Sequence, residues 1–218
     1  MISAVIFDFD GVLADTELLH MAAFVEVFES RGWHLDEKAY FDRYLGFDDR
    51  GLIRAFAADN DLALTAAAAE ELGAAKARAF AHLLQRQTVL YPETPACVAA
   101  LSSRFRLAIA SGALHREIAT ILETASLLQP FSVIVGADDV TQTKPSPMPY
   151  LEAAARLGIP PGECVAVEDS RSGLAAARAA GMKTIALPTT SPRNLLADAD
   201  RIVATLADVT PDLVTGLD

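Results

Sequence analysis

Asp8 and Asp10 lie two residues apart at the end of an apolar run, residues 2–9, and Gly11 follows at once. In a strand, residues i and i+2 share a face, so both carboxylates project together while Phe7 and Phe9 point the other way. Like charges this close raise each other's pKa unless a cation or a shared proton relieves them. Two uses fit such a pair: holding a hard cation such as Mg²⁺, or dividing the roles of nucleophile and acid/base. The plain alternative is two solvated acids at a strand–turn junction. A second acidic pair, Glu168-Asp169, follows the buried-strand pattern Val165-Ala166-Val167 and precedes a helix, where Asp169 or Ser170 can also act as N-cap. Ser111-Gly112 also precedes a helical stretch, and its hydroxyl and amides could hold a phosphate oxygen. Lys144 is stiffened by Pro145, Pro147 and Pro149 and could neutralise phosphoryl charge. Taken singly, Ser-Gly is an ordinary turn and Lys144 a solvated loop lysine. Taken together, four acids around one lysine call for a divalent cation, and oxygen-only donors suit Mg²⁺.

These residues need elements to bring them together. Short β-rich runs occur at residues 4–8, 107–111, 133–136, 164–168 and 184–187, with 202–204 as a further candidate. Helical patterns cover 114–127, 147–157 and 172–180, the last two closed by Gly158 and Gly181. Near-continuous apolar strands alternating with helices predict an α/β fold, a Rossmann-like parallel sheet with helices on both faces. In such a sheet ligands bind beyond the carboxyl ends of the strands, where Asp8, Asp10, Ser111, Gly112, Lys144, Glu168 and Asp169 all fall. The rhythm breaks once, with about a hundred residues between the first two strands, several times the usual spacing. There, Asp15 or Thr16 can cap a helix with Leu19, Ala22, Ala23 and Val27 on one stripe. Asp48 or Asp49 can begin a second helix through Leu52, Ile53 and Phe56, and Thr65 can cap an alanine-rich helix to about Arg86. Residues 16–89 therefore read as an inserted all-α helical cap domain, and 1–15 with 90–218 as the core. The chain re-enters the core at Tyr91-Pro92-Glu93-Thr94-Pro95, stiffened by two prolines.

The 218 residues carry a net charge of −11 and no basic tract, which argues against nucleic acid and anionic membranes as partners. No apolar run is long enough to span a bilayer. Cys97 and Cys164 form no Cys-x-x-Cys unit and read as buried thiols. The first residues lack a basic start and a long apolar stretch, so a cytoplasmic location is expected, and a monomer.

The motifs carry a family resemblance over nearly the whole chain. Asp8-x-Asp10-Gly11-x-x-x-Asp15-Thr16, Ser111-Gly112, Lys144-Pro145 and Glu168-Asp169-Ser170-x-x-Gly173 resemble, in order, the four motifs of the haloacid dehalogenase superfamily. Within it the chain is similar to the β-phosphoglucomutase-like phosphatases and phosphomutases. The resemblance implies that Asp8 attacks phosphorus to form an aspartyl-phosphate and that Asp10 is the acid/base. It implies Mg²⁺ on the Asp8 carboxylate, the Asp10 carbonyl and Asp169, with Glu168 bound directly or through water. Ser111, the amide of Gly112 and Lys144 are implied as phosphoryl ligands. Phosphoryl transfer rather than halide displacement is implied by Asp10, which the dehalogenases lack. The implied substrate is a small phosphorylated metabolite, a sugar phosphate first. In the cap, His20, Gly46, Arg50 and Lys76 match substrate-side positions, although a helix histidine, a solvated arginine and a surface lysine are the plain readings. A phosphomutase is the second reading and a non-catalytic binding protein on the same fold the third. Departures from the group's pattern, Glu93 after Tyr91-Pro92 and Met148 after the Lys-Pro run, leave the catalytic set intact.

Overall fold

Ala4–Phe7 is apolar on every residue and buried on every residue, so this strand, β1, needs cover on both faces. The computed structural model describes residues 1–45, 47–84 and 89–217. In it β1 lies inside a parallel sheet with β2 (Arg106–Ala110), β3 (Phe131–Val135), β4 (Cys164–Glu168), β5 (Lys183–Ala186) and the short β6 (Arg201–Ile202). The order is β3-β2-β1-β4-β5-β6, and β1 runs parallel to both β2 and β4. Phe7 is level with Ile109 and with Val167, so Asp8, Ala110 and Glu168 come next along three adjacent strands.

The chain forms two compact units. The first comprises Met1–Asp15 and Leu90–Asp218, the second Thr16–Val89. In the first, α7 (Met148–Leu157) and α8 (Arg171–Ala179) cover one sheet face. Their Ala153, Ala154, Ala176 and Ala177 interleave with Ala4, Ile6, Ala108 and Ala166, small residues that let helix and strand approach closely. The other face is covered by α5 (Thr94–Ser102) and α6 (His115–Thr124). A short helix α9 (Pro211–Thr215) lies near the chain's end. Gly158 and Gly181 take left-handed conformations, φ 70° and 82°, Gly158 directly after α7 and Gly181 one residue beyond the Ala180 cap of α8. The unit's two segments are joined where Ala14 pairs with Leu90, Tyr91 N donates to the Leu13 carbonyl (3.1 Å) and Thr94 Oγ1 donates to it as well (2.7 Å).

The second unit is helical: α1 (Glu17–Glu29), the single turn α2 (Glu37–Ala39) running into a π-helical turn Tyr40–Tyr44, α3 (Asp49–Asp59) and α4 (Ala66–Leu84). The side chain of Asp48 caps α3 through Gly51 N, and Thr65 Oγ1 accepts from Ala68 N at the start of α4. Phe28 packs on Phe56 with tilted rings 4.5 Å apart, and Trp33 packs on both. Among the described residues no helix is long and apolar enough to cross a membrane.

Two sequence expectations need correction. In the sequence, Pro92 and Pro95 read as stiffening the return to the core, and no helix is assigned to residues 94–102. Pro95 instead sits in the first turn of α5, where a missing N–H costs nothing. Lys76, a surface lysine on the plain reading, is fully buried.

Candidate active site

Asp8 continues the β1 ladder through its amide to the Val167 carbonyl (2.9 Å) and is 8% exposed. The chain then turns sharply. Leu13 and Ala14 amides return to the Phe9 carbonyl, and Gly11 takes φ 76°. Gly11 is required twice over, because a Cβ there would collide with the carboxylate of Asp169.

Glu168 ends β4, is fully buried and is held by five donors. Its Oε1 accepts from Lys144 Nζ (2.5 Å) and Tyr150 OH (2.8 Å). Its Oε2 accepts from Asp169 N (3.1 Å), Ser170 N (3.2 Å) and Ser170 Oγ (2.9 Å). A carboxylate offers roughly four lone-pair sites, so this one is filled by the protein itself. Ser170 Oγ also caps α8 by accepting from Gly173 N (3.0 Å). The glycine of the fourth motif has a steric reason: a Cβ on Gly173 would overlap the Glu168 carboxyl group.

Lys144 bridges the two acidic strand ends, 2.8 Å from Asp8 Oδ1 and 2.5 Å from Glu168 Oε1, with its ammonium over the Tyr150 ring. Burial works against its charge, but Asp8 and Glu168 outweigh it and hold the lysine above its usual range. Burial, then Glu168, push the Asp8 carboxyl up to about 8, against the pull of Lys144. Burial, then Glu168 and Asp8, also drive Asp169 well above the carboxylate range. Glu168 is itself held low, since Lys144 and its other donors overcome its burial.

Oxygens of Asp8, Glu168 and Asp169 lie within 4.8 Å of one another. With all three ionised, three carboxylates against one ammonium leave a net charge of −2, which one divalent cation balances, and the all-oxygen donors suit a hard one. The residues present therefore fit Mg²⁺. Ser111 is buried beside them, its hydroxyl 3.5 Å from Asp10 Oδ2 and accepting from Ala113 N (3.1 Å). A Cβ on Gly112 would meet nothing within 4 Å, so there is open space on that side of the residue.

In the helical unit, Lys76 Nζ lies 2.6 Å from His20 Nδ1 and 2.8 Å from Asp49 Oδ1, over the rings of Phe24 and Phe80. His20 is buried and stacked on Phe80 at 4.2 Å. Arg50 is exposed on the first turn of α3, and Gly46 lies outside the described residues. Three contributors had no motif to announce them. Tyr150, whose hydroxyl donates to Glu168 Oε1, and Thr190, whose hydroxyl donates to Asp169 Oδ2, stand in no site motif, and Asp49 reads from the sequence only as a helix start.

Residues 5–187 match the family described as haloacid dehalogenase-like hydrolase. The chain is 36% identical over 190 residues to the phosphorylated carbohydrates phosphatase of Thermotoga maritima, covering 84% of this chain and 83% of that one. It is 29% identical over 221 residues to the beta-phosphoglucomutase of Bacillus subtilis, covering 97% and 93%. The fold superposes with a TM-score of 0.87 on a variant of CbbY from Rhodobacter sphaeroides in complex with xylulose-(1,5)bisphosphate, at 30% identity and 96% coverage of both chains. The strand-end acids, the lysine that joins them and the match over most of the sequence make this chain a member of the haloacid dehalogenase-like hydrolases, an enzyme of the phosphoric monoester hydrolase class.

Proposed function

We propose that the protein is a Mg²⁺-dependent phosphatase of a small phosphorylated sugar, working through an aspartyl-phosphate on Asp8. The observation that carries this reading is the grouping of Asp8, Glu168 and Asp169 within 4.8 Å, with Lys144 2.8 Å from Asp8. Asp8 attacks phosphorus while Asp10 protonates the leaving sugar oxygen. Asp10 then takes a proton from water as that water cleaves the aspartyl-phosphate and frees inorganic phosphate. Ser111, the Gly112 amide and Lys144 hold phosphoryl oxygens. Asp8, Asp169 and the Asp10 carbonyl would hold Mg²⁺, with Glu168 acting through water because its oxygens are already engaged. The ion would supply charge neutralisation at the phosphoryl group. The helical unit is assigned the part of cap, with His20, Arg50 and Lys76 as its candidates for substrate choice. Sugar bisphosphates head the substrate panel, since a similar structure holds one.

The test is phosphate release from a panel of sugar mono- and bisphosphates with and without EDTA. Turnover is expected with Mg²⁺ only, and Asp8→Asn is expected to lower it at least about a thousandfold. Full activity of Asp8→Asn would end the proposal. A phosphomutase is the second reading, favoured by the Lys76–His20–Asp49 cluster, which sets a cation among apolar rings of the helical unit. Conversion of β-glucose 1-phosphate to the 6-phosphate without net phosphate release would select it.

A further inference from the structure

The loop after β5 reaches back to both acidic strand ends, although no motif includes it. Leu187 N donates to the Glu168 carbonyl (2.8 Å), and Thr189 Oγ1 donates to the Gly11 carbonyl. Thr190 uses both branches of its side chain. Its Oγ1 donates to Asp169 Oδ2, and its Cγ2 lies against Gly11, where a Cβ would meet Asp169 Oδ2, Asp169 Cγ and Thr190 Cγ2 together. Asp169 Oδ2 is thus clamped between a hydroxyl and the backbone of the first motif.

Resting on the cation reading above, we propose that Thr190 is a positioning residue for the cation site. It fixes Asp169 Oδ2 against Gly11 and so leaves Oδ1 as the oxygen offered to the ion. The physical need is clear from the neighbours. Asp169 is 2% exposed and shares its surroundings with Asp8 and Glu168, so once ionised and without a donor its carboxylate would turn away from them to relieve repulsion. Hydrogen bonds to a ligating carboxylate set its orientation, and their loss typically costs about 10–100-fold in metal affinity.

Isothermal titration of MgCl₂ into the full-length protein separates the outcomes. Thr190→Val keeps the shape and loses the donor, whereas Thr190→Ser keeps the donor and loses the methyl group. Thr190→Val is expected to weaken Mg²⁺ binding about 10–100-fold, Thr190→Ser to stay within about threefold of wild type, and Asp169→Asn to abolish binding. Thr190→Val is also expected to melt with the wild type in EDTA, which shows that the fold is intact. Should Thr190→Val fail to fold, Thr190→Ala against Thr190→Ser asks the same question, because those two differ in the hydroxyl alone. Wild-type affinity in Thr190→Val, or equal weakening in Thr190→Ser, overturns the proposal while the cation site stands. Absence of binding by the wild type, or unchanged binding by Asp169→Asn, removes the cation reading and the proposal with it.

Discussion

At Asp8 the energetic problem and the chemistry are one. Its carboxyl is pushed up to about 8 by burial and by Glu168, so at neutral pH the metal-free group mostly keeps its proton. A divalent cation needs the carboxylate and must displace that proton. Asp169, also driven above the carboxylate range, must give up its proton too. Mg²⁺ affinity should therefore rise at least about tenfold per pH unit below pH 8, with protons released to buffer on binding at pH 7. Calorimetry in buffers of different ionisation enthalpy reads both effects, and a flat affinity from pH 6 to 9 contradicts the argument. Gly11 supplies a steric counterpart. Gly11→Ala forces a side chain into a left-handed position and onto the Asp169 carboxylate, so it should cost about 2 kcal/mol or more in stability and lose most Mg²⁺ affinity. Denaturant unfolding and a Mg²⁺ titration check the two losses separately.

At the scale of elements, helix ends can be tested cleanly. Gly158 closes α7 at φ 70° and has open space around an added Cβ, so Gly158→Ala isolates the conformational cost. About 1 kcal/mol is expected, a Tm drop of about 3 °C, with Gly158→Asn losing less because asparagine tolerates this region. A Tm unchanged by alanine would rule the argument out. The same glycine shows what the sequence makes legible. A helix period ending at Gly158 or Gly181 announces a stop, and acids directly after apolar runs announce strand ends. Asp8, Lys144, Glu168 and Asp169 could be placed together because a parallel sheet gathers its strand ends along one edge. Side chains that act on other side chains stay hidden. Nothing in the spacing says that Tyr150 reaches Glu168 or that Thr190 reaches Asp169, since both links depend on how a helix and a loop pack. Lys76 deceived for a related reason. In a run of alanines and glutamates a lysine reads as solvated, but Asp49 from α3, the Phe24 ring from α1 and the Phe80 ring of its own helix enclose it.

For the whole molecule, the thiols report on global opening. Cys97 and Cys164 are buried in the core unit, and burial pushes their thiols up to about 12 and about 11. At pH 8 neither holds appreciable thiolate, so an aromatic disulfide reagent should label both only as fast as the fold opens, and at once in denaturant. Immediate labelling of either in the native protein would show a local breathing mode that the packing does not anticipate. The core unit has a further property. Ala14 and Leu90 are paired, so the departing and returning strands of the insertion stand side by side. Sheet closure is then nearly indifferent to how much chain lies between them, because the entropic cost of a longer loop grows only logarithmically. An ancestor could have exchanged one helical cassette for another without disturbing a single catalytic atom, and new substrate ranges could arise by recombination at that doorway.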